Sequence, residues 1–299
     1  MKSILAIIMV LFSSLAMAWP TKEITMILPF PAGGWGEQVG RIFAREIERE
    51  FKVPVIWKSM PGAGHGVAVS HIMSQANDHH TFMQATEDLI ITQMANNTKL
   101  YEEFKPVSIW ATFGTMVFGG PGSSLELFKK QITDGANVNF GNMGANSGYH
   151  YWTVNLKSNL KITPVPYKGS VPLITDVMGR HVEYGVGNLV SAHNLIAAGK
   201  LVPIMVGTER RHPLYKDVPT FKELGFKGDA YEGWFGLVTK KDTDPVAIER
   251  ISAVVRRTVS NDPKMQEQSQ RGINLVNFNV AEGDRFYANS INESKKLIP

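Results

Sequence analysis

The chain of 299 residues contains no cysteine. That excludes disulfide stabilisation, a thiolate nucleophile and every cysteine-ligated metal site. Past its first dozen residues it has no apolar run long enough to cross a bilayer. It also lacks a basic block: 31 Lys and Arg stand against 27 Asp and Glu, a formal charge of +4 dispersed along the chain. Such a mild, scattered excess argues against nucleic acid and gives only a weak attraction for anions. The signatures of catalysis are missing too. No H-E-x-x-H occurs, and the adjacent His79-His80 point to different sides of any regular element, so no metal site is expected. Ser147 is not in a nucleophile elbow, because Ala145 and Tyr149 stand where glycines belong. A Ser-His-Asp triad assembled from distant residues stays open, though no residue pattern suggests one.

What is present begins at the N-terminus. Lys2 precedes the apolar run Ile4 to Phe12, the polar pair Ser13-Ser14 closes it, and Ala16-Met17-Ala18 stands just before Trp19. A basic start, a short apolar stretch and an A-x-A exit describe a secretory signal peptide over residues 1–18, removed to leave a protein that begins near Trp19. The expected location is the periplasm. The 281 remaining residues carry 30 basic and 27 acidic side chains, a charge of +3, and accommodate one large or two medium domains.

Along the chain, strand-like and helix-like runs alternate. Glu23 to Phe30 predicts a strand, and Gly36 to Glu50 a helix with Val39, Ile42, Phe43 and Ile47 on one stripe. Val53 to Trp57, a helix over 67–75 and a strand over 81–84 follow, with Thr86 capping the next helix. Near "FGGPGSS", residues 118–124, the alternation breaks, which suits a crossover between domains. A second unit follows. Its strands fall at 138–140, 163–167, 182–186 and 201–206, and its helices at 147–156, 173–178 and 189–198. Residues 229–239 begin the return, and helices over 245–260 and 263–272 are expected to close the chain. The reading is α/β. It has two lobes, each a mainly parallel sheet flanked by helices, with a ligand cleft between them: 19–121 plus 230–299 form one, and 122–229 the other.

The glycine-rich turn in "LPFPAGGWGEQVGR" is the first place where chemistry could sit. No Lys-Ser/Thr pair follows, so it is no P-loop, and Trp57-Lys58 occupy the place of a ribose-binding acid. Export also argues against a nucleotide, and no cofactor is expected. What remains is a set of bare amides at a helix start, suited to a carboxylate, or else a turn needed for close packing. "FGNMGANSGYH" repeats the arrangement in the other lobe, with Ser147 at an N-cap position and His150 three residues on, serving either a ligand or the helix alone. "PYKGS" adds Lys168 and the amides of Gly169 and Ser170. Glu87 and Asp88 fit two readings: first-turn acids favoured by the helix dipole, the commoner case, or acceptors for a ligand's amine or hydroxyl. Trp35, a large aromatic among glycines, either covers a flat ligand or packs the lobe edge.

In order along the chain, "LPFPAGGWGEQVGR", "KSMPGAGHGVA", "GANSGYHYW", "VPYKGSVPLITDVMGRHVEY", "DVPTFKELGF" and "YEGWFGL" resemble the extracytoplasmic solute-binding proteins of tripartite tricarboxylate transporters, the Bug receptors. The likeness covers essentially the whole mature chain. It implies a non-enzymatic, two-lobed periplasmic receptor that closes over a carboxylated solute and presents it to membrane permease subunits, with a monomer expected. It also implies that the loop Phe30, Ala32, Gly33, Gly34, Trp35 and the loop Met143, Asn146, Ser147, His150 hold one carboxylate. Thr86, Lys168, Gly169, Ser170 and Asn188 would line the rest of the cleft. Three positions depart from the family pattern: Glu37 stands for a common Asp, His65 for a frequent glycine, and Val186-Gly187 for a Phe-Asp pair before Asn188. The rival from another class is an exported hydrolase using Ser147; a sensor for a membrane signalling protein would share the whole binding site.

Overall fold

The computed structural model describes residues 19–298, and the expected signal segment lies outside them. The first three strands, β1 (Ile24–Leu28), β2 (Val55–Ser59) and β3 (Thr81–Ala85), are parallel, with β1 between the other two. Helix α1 (Trp35–Phe51) connects β1 to β2. It buries Val39, Ile42, Phe43 and Ile47 and stops at Lys52, whose φ of 58° breaks the helix. Helix α2 (Gly66–Ser74) connects β2 to β3, and α3 (Asp88–Ala95) follows β3.

Next comes β4 (Phe104–Gly119), a 16-residue strand that the sequence pattern did not reveal. Almost every residue in it is buried, so the alternation of a half-exposed strand is absent. The second half of the molecule then follows. It contains α4 (Leu125–Asp134), β5 (Asn137–Asn142), α5 (Gly148–Asn155), β6 (Lys161–Pro166), α6 (Ser170–Met178), β7 (Tyr184–Asn188), α7 (Leu189–Ala197) and β8 (Val202–Val206). The chain returns through β9 (Glu232–Lys240), α8 (Pro245–Asn261), α9 (Pro263–Ser269), β10 (Ile273–Leu275) and α10 (Val280–Leu297). The expectation that the chain closes at residue 272 is therefore corrected. Asn279 and Glu282 form a reciprocal capping box that starts a further 18-residue helix, and Tyr287 on it donates to the Tyr101 carbonyl at 2.9 Å.

The strands follow the order β2-β1-β3-β9-β4-β7-β5-β6, with β8 and β10 also on β4. The outer strands pair in parallel, as alternating strands and helices predict, whereas β4 and β9 are antiparallel to every neighbour. From Phe104 to Gly114, β4 pairs with β9; from Thr115 to Gly119 it pairs with β7. One strand thus spans both halves and changes partners at Gly114–Thr115. The returning chain is tied to that point: Thr115 Oγ1 donates to the Tyr231 carbonyl at 2.8 Å, and the Tyr231 amide donates to the Gly207 carbonyl at 2.9 Å. Helices flank the sheet throughout, and among the described residues none is long and apolar enough to cross a membrane.

Candidate functional site

Between the halves lies a cavity of about 300 Å³, within the range of small-molecule sites. The loops after β1, β2 and β3 line it from one side, and those after β5, β6 and β7 from the other. This is where strand ends leave helix starts free to meet a ligand.

Of the residues expected from sequence, Phe30, Gly34, Trp35, Thr86, Met143, Lys168, Gly169, Ser170 and Asn188 line the cavity together. Ala32, Gly33, Asn146, Ser147 and His150 are not among its walls. Ala32 and Gly33 are exposed, and the Gly33 amide donates to Glu37 Oε2 at 2.7 Å. Asn146 ties its own loop: its carbonyl accepts from Thr92 Oγ1 and its side chain from Tyr151. Ser147 is fully buried. Its hydroxyl donates to the Gly144 carbonyl at 2.8 Å and accepts from the His150 amide at 3.2 Å, so both of its roles are spent inside the protein. A hydroxyl so placed is a helix cap and has no base to activate it, which removes the physical ground for a hydrolase.

The helix starts differ in how they are satisfied. At α1 and α6 the N-cap residues, Gly34 and Gly169, provide no side-chain cap. At α5 the cap is Ser147, and the Gly148 amide donates to Asp88 Oδ1 at 2.7 Å. An acid from the first half thus takes up an amide at the start of a helix in the second half. Gly148 must be glycine, because a Cβ there would lie 1.8 Å from the Tyr231 hydroxyl. Gly169 has φ +122°, and a Cβ on it would come within 2.8 Å of the Pro31 ring, so the two open loops, 30–36 and 168–170, touch across the cleft.

Trp35 has an edge in the cavity, but its ring is 6% exposed and packs 4.6 Å from Phe235 and 5.6 Å from Trp110. Its indole N–H donates to Gln268 Oε1 at 2.8 Å. Of the two readings open from sequence, packing therefore accounts for its placement. Phe30, Phe113, Tyr149, Tyr167 and Phe235 complete an aromatic wall.

The acids beside Thr86 are buried. Thr86 Oγ1 accepts from the Asp88 amide at 3.3 Å, so Thr86 still caps the strand-to-helix turn although α3 starts at Asp88. Glu87 accepts from Tyr231 Oη at 2.6 Å and from the Trp234 amide at 2.8 Å. Burial, reinforced by the neighbouring Asp88 charge, pushes the Glu87 carboxyl up, and these two hydrogen bonds pull it partly back. Burial also raises Asp88, against the opposing Gly148 hydrogen bond. His65, at φ +72°, is 2% exposed, and burial lowers its pKa to about 3; the nearby Gly64 carbonyl offsets this only in part. The ring is therefore neutral. Its Nε2 accepts from the Thr86 amide at 3.4 Å, which puts the proton on Nδ1, where no hydrogen bond closes. The Tyr149 hydroxyl is likewise buried without a partner. Lys168, exposed at the cavity wall, is the cation of the site, and no ion pair engages it among the described residues. Gly187 does not line the cavity; a Cβ there would make ordinary contact, at 3.4 Å, with the end of the Met143 side chain, which does.

The family model of the tripartite tricarboxylate transporter family receptor matches residues 39–299. The chain belongs to this receptor family. Its members are periplasmic solute-binding proteins rather than enzymes. BugT of Bordetella pertussis is 24% identical over 269 residues, spanning 86% of this chain and 82% of its own. A Rhodopseudomonas palustris protein solved with adipate superposes with a TM-score of 0.82 at 22% identity, over 93% of this receptor and 97% of its own chain. MatC from the same organism, solved with bound malate, gives 0.79 at 20% identity, over 94% and 100%. At these identities the superpositions establish the fold, that of two-lobed periplasmic binding proteins.

Proposed function

We propose that this receptor, exported through a cleaved signal peptide, binds an organic carboxylate between two lobes and delivers it to the permease of a tripartite transporter. The lobes would meet at the Gly114–Thr115 and Tyr231 crossovers and hinge there. The observation that carries the reading is the convergence on one cavity of two uncapped helix starts from opposite halves, at Gly34–Gly36 and Gly169–Ser170, with Lys168 beside them. Their free amides and positive dipole ends suit a carboxylate, and Lys168 would draw it in. Ser147 and His150 would support the cleft wall from behind rather than touch the solute. Phe30, Thr86, Met143 and Asn188 would shape the space around its body. Solved neighbours with adipate and malate support the carboxylate class. Each charge-assisted bond in such a site contributes about 1.5–3 kcal/mol, enough in combination for micromolar binding or tighter.

A thermal-shift screen with mono-, di- and tricarboxylates, aliphatic and aromatic, tests this. A true ligand at a hundred times its dissociation constant adds about 2.7 kcal/mol to stability. If no organic acid moves the melting temperature, the reading fails.

A further inference from the structure

The reading above leaves the far end of the solute unassigned, and the buried polar groups of the cavity bear on it. The cavity walls carry one cation, Lys168, and two acids, Glu87 and Asp88. Both Glu87 oxygens are engaged, by Tyr231 and Trp234. Asp88 is different. Its Oδ1 accepts from the Gly148 amide, and its Oδ2 meets no donor among the described residues. Close by in the same wall is Tyr149, which is 2% exposed and whose hydroxyl lacks any hydrogen bond. Burial and the charges of Glu87 and Asp88 hold that phenol in its neutral form; Asn188 is near enough to offset this in part, yet no hydrogen bond closes between them.

A second carboxylate on the solute would find no welcome here. The Gly148 amide that could receive it already holds Asp88, and the buried Asp88 carboxylate would repel it. An ammonium group fits instead. It brings the donors that Asp88 Oδ2 and the Tyr149 oxygen lack, and it neutralises an acid whose burial is otherwise costly. Phe30, Phe113 and Phe235 line the same cavity and suit an apolar body.

We infer that the solute of this receptor is a zwitterion, an organic acid that also carries a protonated amine on an apolar body, and that Asp88 selects it. The carboxylate lies at Gly34–Gly36, Ser170 and Lys168, and the amine at Asp88 and Tyr149. This rests on the proposed carboxylate-binding function and narrows it.

The test is calorimetric titration of the mature receptor near neutral pH with two matched sets. The first set is phenylalanine, 3-phenylpropanoate and benzylmalonate; the second is leucine, 4-methylpentanoate and isobutylmalonate. Within each set only one substituent changes, from ammonium to hydrogen to carboxylate. In at least one set the amine-bearing member binds about tenfold or more tightly than the other two, as expected when its absence leaves a buried acceptor unpaired. Asp88→Asn narrows the gap between the amine member and its deaminated partner to about twofold, because the neutral amide keeps the Gly148 contact and loses the charge. Should that variant fail to fold, Tyr149→Phe narrows the gap part of the way. A diacid that binds as tightly as the amine member, or a gap that survives in both variants, overturns the inference while leaving a carboxylate receptor standing. Failure of every acid, in these sets and in the wider screen, removes the receptor reading and this inference with it.

Discussion

Two helix starts in the second half of the molecule, at Gly148 and at Ser170, look alike in sequence and behave differently in structure. Each follows a strand and a loop rich in small residues. The first is filled: Ser147 caps it, and Asp88 reaches across from the other half to take the Gly148 amide. The second is open, with Gly169 offering no cap, Lys168 beside it and Pro31 touching it from across the cleft. What separates them is the chain that faces each one. The filled start meets an acid at the end of β3, whereas the open one meets another open start, that of α1. A helix N-terminus is thus an anion site only when the protein has not already supplied the anion.

Substitutions break this contrast in order of expected size. Gly148→Ala has the largest effect. Its new methyl would collide with the Tyr231 hydroxyl and disturb the bond to Glu87, so thermal or urea unfolding should show a loss of about 1–3 kcal/mol or more. Ser147→Ala removes a cap at the filled start and should cost about 1 kcal/mol of stability, while titration with a carboxylate ligand changes little. Ser170→Ala gives the opposite split: unfolding is nearly unchanged, and affinity falls about fivefold as a wall hydroxyl at the open start is lost. The smallest effect belongs to Lys168→Met. Because that ammonium is exposed, affinity should drop only about two- to fivefold, and the drop should shrink as salt is added.

The acid pair gives the contrast a pH signature. An acid whose pKa is raised on folding binds more protons folded than unfolded, so stability falls as pH rises above the ordinary carboxylate range, about 4, through the raised value. His65 acts in the other direction. It is held neutral, and its contribution is lost as pH falls below about 6.5 towards its lowered value. Above about pH 7 Glu87, the more strongly raised of the two acids, acts without it, and melting temperatures should decline as pH rises. In Glu87→Gln that decline should flatten; an unchanged slope would mean that Glu87 does not titrate differently in the folded state.

Much of the fold was legible in the sequence, because parallel strands and amphipathic helices alternate with clear turn signals. The stripe Val39, Ile42, Phe43 and Ile47 located α1 to within a residue at each end. Strand β4 was not legible, since burial on both faces erases the period that marks a strand. The final helix was missed although Asn279 and Glu282 carried a capping box, a signal visible in the sequence. Glycine-rich turns after strands drew attention to Gly34 and Gly169, which the structure places in the cavity wall at helix starts without a side-chain cap. The bond between Asp88 and the Gly148 amide was not legible, because packing of the two halves joins these residues across 60 positions of sequence. Trp35 stood open between two readings because a ring among glycines is equally compatible with a ligand and with the Phe235–Trp110 stack.

A crystal structure of the receptor with its best-binding acid tests the central claim most directly. The account predicts carboxylate oxygens about 2.7–3.2 Å from the amides that open α1 and α6, with Asp88 still seated on the Gly148 amide. A carboxylate found on Gly148 instead, with Asp88 displaced, would contradict it.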